Sequence, residues 1–408
     1  MTQLLTLFVF SLTAFCSSKS FVINNEDNNT FENETESINE FVNRSGNYFL
    51  WEIQGISPSY LFGTIHVPYN MVWDSIPKNM MQAFNNSQEI YLELNMNEDT
   101  LSKLNDCERL PNGQNVADVL PKNLYLKWKS YIKHLHTKVS SWISPTQKSH
   151  GLTADTIFYW LFEYWTTRRP IWTLLKAQMV IESYIKSIEY LQLDSYLAEL
   201  GRQSGKFVDG IEHVEETCSI INNLNDSQVL FILNKTMELD HEVLTTVSSR
   251  DLNNLIHRYR NGDISPAYFS QKFGFFPQIG NNKNGNNNES ISINSEEERK
   301  MAIDIHSYLR DHIIFERNEI MARRIMKLIE DDPSTSYFFA FGVGHFIGQD
   351  SVVDILRKRN ISVERISPEA TLKEIDSSNR SKSLANCDCD NQELFPWFIC
   401  TVKCIFGF

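Results

Sequence analysis

The 408-residue chain has no concentrated run of lysine or arginine, and its formal charge at pH 7 is −13. Nucleic acids and anionic lipid surfaces both require a basic face, so neither is expected as the main partner. There is no Gly-x-Ser-x-Gly elbow and no phosphate-cradling Gly-x-x-x-x-Gly-Lys-Ser/Thr loop, which removes two common catalytic signatures. His241 and Glu242 open the stretch HEVLT, which resembles a zincin helix, but Thr245 stands where the second histidine must fall. His134 and His136 are two residues apart, a spacing that a helix sends to different faces. No apolar stretch reaches the ~20 residues of an ordinary membrane span.

Cysteine is also scarce. Once the signal peptide (1–18) and the segment after residue 368 are set aside, only Cys107 and Cys218 remain, and both look structural, so a cysteine nucleophile is not expected. An oxidising compartment favours pairing them, and the alternative is two buried thiols.

What is present is enough to fold: 42% apolar and 12% aromatic residues can fill the core of one large domain or two ordinary ones. Residues 1–18 read as a secretory signal peptide, apolar from Leu4 to Phe15 and then rich in small residues. Residues 19–46 form a polar, acidic leader that cannot bury enough surface to order itself. Asn-x-Ser/Thr acceptors at Asn28, Asn33, Asn43, Asn85, Asn225, Asn234, Asn288, Asn360 and Asn379 fit a glycosylated protein of the secretory pathway, at the cell surface or secreted. A polar linker at 369–394 leads to an apolar tail at 395–408, interrupted by Lys403. The tail reads as a truncated anchor, a lipid-anchor signal or an interfacial segment, any of which allows membrane association.

Between 47 and 368 lies the folded domain. YFLWEI and SYLFGTI, separated by QGISPS, predict a hairpin, and a helix is expected after Pro77. QEIYLELNM is a third strand candidate, and residues 116–260 are mostly helical by spacing, interrupted by the strand-like KFVDGIEHV. The Asn-rich stretch 280–298 is expected to be a mobile loop. A long helical pattern follows, then the strand STSYFFAF and finally SVERI.

The most informative feature is a motif that occurs twice, Phe-Gly-x-x-His, ending at His66 and at His345, each time after an apolar strand. Gly63 and Gly342 permit a sharp turn or a close approach, and histidines just past strand ends are where α/β sheets hold ligands. Two histidines and an acid can hold a divalent metal. Glu93 is the leading acid, as a carboxylate in an apolar strand, although alternation also allows it to face solvent with Glu89 and Tyr91. Glu212 is a further ligand or a proton-transferring base, or else a surface acid beside Glu215 and Glu216. Arg317 and Asn318 either orient a substrate or belong to a salt-bridged helix face.

YFLWEI, YLFGTIHVPYNMVWDSIP, EIYLELN, VADVLP, RRPIWTLL, IEHVEETC, SQVLFILNKT, FERNEIMARR and FFAFGVGHFIG, taken in order, resemble the TIKI metalloproteases, extracellular enzymes related to TraB, pheromone-shutdown and GumN-type proteins. The resemblance implies an α/β (α+β) fold: a central mixed sheet flanked by helices, with an internal pseudo-repeat carrying Gly-x-x-His at two strand ends. It implies metal-site histidines at His66 and His345, with manganese or cobalt as the ion and zinc still open. It implies Wnt proteins as substrate, shortened at the N-terminus and so inactivated, and a type I cell-surface topology. Glu93, Glu212, Arg317 and Asn318 match the family's remaining acids and its Arg-Asn pair. Two other functions fit the same frame: a non-catalytic binder of haem or peptide, and a metal-independent hydrolase.

Overall fold

The computed structural model describes residues 49–265, 268 and 295–372. Its centre is a six-stranded mixed sheet in the order β4-β3-β5-β2-β1-β6. The strands are β1 Leu50–Ile53, β2 Ser59–Thr64, β3 Glu89–Leu92, β4 Phe207–Gly210, β5 Tyr337–Gly342 and β6 Val363–Arg365. β1 and β2 form the expected hairpin, with Leu50 opposite Phe62. β6 pairs antiparallel with β1, while β2, β5, β3 and β4 run parallel to one another. β2 and β5 are buried along all six residues. That explains their unbroken apolar spelling, since an interior parallel strand has no solvent face.

The helices of seven or more residues are α1 Lys78–Asn86, α2 Glu98–Glu108, α3 Lys122–Trp142, α4 Ala154–Phe162, α5 Pro170–Gln178, α6 Leu193–Gln203, α7 Val214–Asn222, α8 Asp226–Thr236, α9 His241–Arg260, α10 Glu296–Arg310, α11 Arg317–Asp331 and α12 Val352–Lys358. Pro77 precedes the first residue of α1. α3 buries Leu124, Trp128, Tyr131, Ile132, Leu135 and Val139, one stripe at helical spacing. The middle of the domain is helical as its periodicity predicts, and its core, around Trp128, Ile157 and Trp172, is separate from the sheet core around Phe62, Phe338 and Phe341.

Two details differ from the sequence-based expectation. The Asn-rich stretch ends inside a helix: Ser295 caps α10 by accepting from the backbone of Glu298, and three glutamates occupy the first turn, where the helix dipole favours negative charge. The long helical pattern after it is broken into α10 and α11 by a π-helical segment, Asp311–Glu316. The leader, the signal peptide, residues 280–294, most of the linker and the tail lie outside the described residues, as do Asn28, Asn33, Asn43, Asn288 and Asn379. Asn85, Asn225, Asn234 and Asn360 are exposed. Among the described residues no helix is long and apolar enough to cross a membrane.

Cys107, near the end of α2, and Cys218, in α7, are joined by a disulfide spanning 111 residues of sequence, with Cα atoms 6.0 Å apart. A bridge over so long a loop removes much of the unfolded chain's freedom, and its loss typically costs about 2–5 kcal/mol. Replacing both cysteines by serine should lower unfolding free energy by that amount in a denaturant titration under oxidising conditions. An unchanged midpoint would show that the bridge adds nothing to stability.

Candidate metal centre

Because β2, β5, β3 and β4 are parallel neighbours, their C-terminal ends open along one edge of the sheet. In register, Thr64 faces Gly342, and Leu92 faces both Ala340 and Gly210. His66 lies two residues past β2 and His345 three past β5; Glu93 follows β3 directly and Glu212 lies two past β4. Topology alone therefore gathers four residues separated by up to 279 positions, at the place where open α/β sheets hold ligands.

Two glycines let these ends close up. A Cβ on Gly63 would stand 2.8 Å from Phe49 Cβ and 2.9 Å from Val343 Cγ2. One on Gly210 would meet the backbone nitrogen of Asn95 at 2.6 Å. With hydrogen there, the exits of β3 and β4 run side by side, the amide of Ile211 donating to Leu92 O at 2.8 Å and that of Glu212 to Glu93 O at 3.1 Å.

Both imidazoles are held from behind. His66 Nδ1 is 2.9 Å from Asp194 Oδ2, and Asp194 Oδ1 accepts from the Thr64 hydroxyl at 2.6 Å. His345 Nδ1 is 2.6 Å from Asn318 Oδ1, while the amide nitrogen of Asn318 donates to the carbonyl of Asp350 at 2.8 Å. Asn318 therefore presents only an acceptor to His345, and a carboxylate does the same to His66, so each Nδ1 carries a proton. Each Nε2 is 3.9 Å from a Glu93 oxygen, His66 from Oε2 and His345 from Oε1. His345 Nε2 is buried without a hydrogen-bond partner. Burial, the nearby Arg317 charge and His66 hold the His345 ring well below the usual imidazole range, so it is neutral.

Arg317 opens α11, directly after the π-helical segment, and is 1% exposed. Its Nε reaches Glu212 Oε1 at 2.9 Å and Oε2 at 3.1 Å, its Nη2 reaches Glu212 Oε2 at 2.5 Å and also Glu93 Oε1, and its Nη1 donates to Ile313 O at 3.2 Å. That carbonyl belongs to the π-helical turn, an element often found at functional sites. Glu93 is completed by the amide of Gly342, which donates to Oε2 at 3.2 Å. Burial works against the charge of Arg317, but Glu212 and Glu93 outweigh it and keep the guanidinium firmly protonated. Burial pushes Glu212 up to about 7, against the opposing pull of Arg317.

The six sequence candidates, His66, His345, Glu93, Glu212, Arg317 and Asn318, are all buried and form this one cluster. Glu93 faces protein rather than solvent, Glu212 is not the surface acid that its neighbours Glu215 and Glu216 suggested, and the Arg317-Asn318 pair is turned inward. Sequence reasoning missed Asp194, which is fully buried, and Thr64. The only trace of Asp194 in the sequence is an acid in the first turn of α6, a position many helices fill for dipole reasons alone.

Among the described residues no group of three or more His, Cys, Asp or Glu side chains is already gathered tightly enough to hold a metal. The chemistry of the donors nevertheless fits one. Two imidazoles converge on one carboxylate, at separations below twice the ~2.1 Å of a metal–donor bond, and the buried Nε2 of His345 lacks any partner. With all acids ionised, Glu93, Glu212 and Asp194 against Arg317 leave a formal charge of −2, which a divalent cation neutralises.

The family model for TraB/PrgY/gumN proteins matches residues 49–365, from the start of the sheet to β6. The chain belongs to the TraB/PrgY/gumN family. It is 37% identical over 361 residues to the protein named Metalloprotease TIKI2 of Danio rerio, covering 86% of this chain and 67% of that one. It is 38% identical over 322 residues to Metalloprotease TIKI1 of Homo sapiens, covering 78% of this chain and 62% of that one. To the Metalloprotease TIKI homolog of Nematostella vectensis it is 35% identical over 350 residues, with 83% and 70% covered. The chain thus spans roughly two thirds of the length of these relatives. No solved structure matches it.

Arg317→Met removes the counter-charge of two buried carboxylates and should cost about 3–5 kcal/mol in denaturant unfolding. A loss below ~1 kcal/mol would mean that the pair is not buried in solution. Glu212 titrates near 7 in the fold against an ordinary 4.5, so the folded state keeps a proton that the unfolded chain releases. Its contribution to stability is complete below about pH 4.5 and fades as pH rises through about 7. Thermal unfolding of the metal-free protein across that window should decline less in Glu212→Gln than in the parent. Parallel curves would contradict the shift.

Proposed function

We propose that the chain is a metal-dependent endopeptidase of the secretory pathway that takes Wnt proteins as substrate, removes an N-terminal segment and so restrains their signalling. His66, His345 and Glu93 are assigned to a divalent ion, manganese or cobalt. The observation that carries this reading is the buried, partnerless Nε2 of His345, facing the same carboxylate as His66. The names of the relatives, all metalloproteases, support it.

A bound divalent ion supplies Lewis acidity toward a peptide carbonyl and activates water. The chain's own residues do the rest. Asp194 and Asn318 hold the protons on the two Nδ1 atoms, which leaves both Nε2 atoms for the ion. Arg317 fixes the Glu93 and Glu212 carboxylates and stabilises negative charge that develops beside them. Glu212 is assigned the proton transfer at its Oε atoms, because burial brings it close to neutral pH, where an acid–base group works best. None of these side chains is more than 6% exposed, so water is kept out and electrostatic interactions are strengthened, and a peptide needs an opening movement to enter.

Incubating the full protein with a purified Wnt and reading the substrate by mass spectrometry tests this. The expected result is a shortened N-terminus in the presence of manganese or cobalt, with loss of cleavage to background on chelation and in folded His66→Ala and His345→Ala variants. An intact Wnt that copurifies with the protein would favour binding without catalysis. Cleavage that survives chelation would favour a hydrolase that uses no metal.

A further inference from the structure

The two Gly-x-x-His segments agree in outline but differ in the residue after glycine, which is Thr64 in the first and Val343 in the second. That difference has a structural counterpart behind each ring. Thr64 is fully buried and donates its hydroxyl to Asp194 Oδ1 at 2.6 Å, while the other oxygen of Asp194 accepts from His66 at 2.9 Å. Val343 offers no hydroxyl, and His345 rests on the neutral amide of Asn318.

The backbone reinforces the first arrangement only. The amide of Leu193 donates to Val67 O and that of Tyr69 to Leu191 O, both at 2.9 Å, so the entry to α6 is stitched to the loop that carries His66. Pro68 and Gln192 complete the bridge. Asp194 is thereby fixed by its backbone, by Thr64 and by the imidazole at once.

We infer that Thr64 and Asp194 form a positioning relay that makes His66 the stronger donor of the pair. The inference rests on the reading of His66 and His345 as metal ligands. A carboxylate that accepts the Nδ1 proton both locks the ring and pushes electron density toward Nε2, and losing such a partner typically costs ~10–100-fold in metal affinity. A neutral amide locks the ring without adding that charge. The Thr64 hydroxyl is spent on Asp194, so it acts on His66 through that carboxylate, and the two histidines are inequivalent despite their matching motifs.

The test is a titration of the full, metal-free protein with Co2+, followed by visible absorption, alongside thermal unfolding of the metal-free form. Asp194→Asn should weaken Co2+ binding ~10–100-fold. Thr64→Val should weaken it several-fold while the metal-free protein still unfolds cooperatively at a somewhat lower temperature, Thr64→Ser should restore it, and Thr64→Val should add nothing in the Asp194→Asn background. Wild-type affinity in Asp194→Asn overturns the relay, as does an equal Thr64→Val effect with and without Asp194. If Asp194→Asn fails to fold, the Thr64→Val and Thr64→Ser pair decides: equal affinities overturn the relay. Full Co2+ binding by His66→Ala and His345→Ala would instead overturn the underlying ligand assignment.

Discussion

Two carboxylates cannot share a buried space unless their charge is met, and in this molecule the guanidinium of Arg317 meets that demand for Glu93 and Glu212. It binds Glu212 through two nitrogens and Glu93 through one of them, joining the ends of β3 and β4 to the start of α11. Without it, the carboxylate beside the two imidazoles would be an unpaired buried charge, which proteins do not tolerate cheaply. The position of Arg317 depends in turn on the π-helical turn before it, whose Ile313 carbonyl takes the remaining nitrogen. Sheet, helix and centre are thus held to one geometry by a single side chain.

Much of the fold was legible because it is local. Aromatic and β-branched runs marked the strands, QGISPS marked the turn of the hairpin, and a repeating apolar stripe marked α3. Strand order was not legible, because β5 pairs with β2 and β3 across hundreds of residues and local periodicity carries no record of a distant partner. Glu93 shows the cost of that blindness. Alternation left a solvent face open to it as the alternative to a metal site, but the residue lies just past β3, fully buried against Arg317 from a distant helix. Asp194 was invisible for a related reason: an acid in the first turn of a helix looks the same whether it faces water or a buried histidine. The pairing of Arg317 with Asn318 was readable as a motif, while their division of labour, one holding carboxylates and the other a ring, required the structure.

The closed state of the centre also bears on selectivity. Buried donors with fixed protons discriminate by geometry and charge, and the strongest recognition is reserved for a group that can replace the contacts it displaces. If the centre acts as proposed, a chain segment entering it must be extended and pliant, which suits a protein terminus better than the middle of a folded domain.

The insertion of β5 between β2 and β3 has a consequence for how the chain comes into being. Until residues near 340 have been synthesised, β2 and β3 lack the strand that lies between them, and their facing edges are unpaired. Such edges are slow to satisfy and prone to pair wrongly, so the chain is most exposed to mispairing before β5 is made. In return, the same strand that closes the sheet delivers His345. A partly made chain therefore cannot assemble the centre, and competence arrives together with the completed fold.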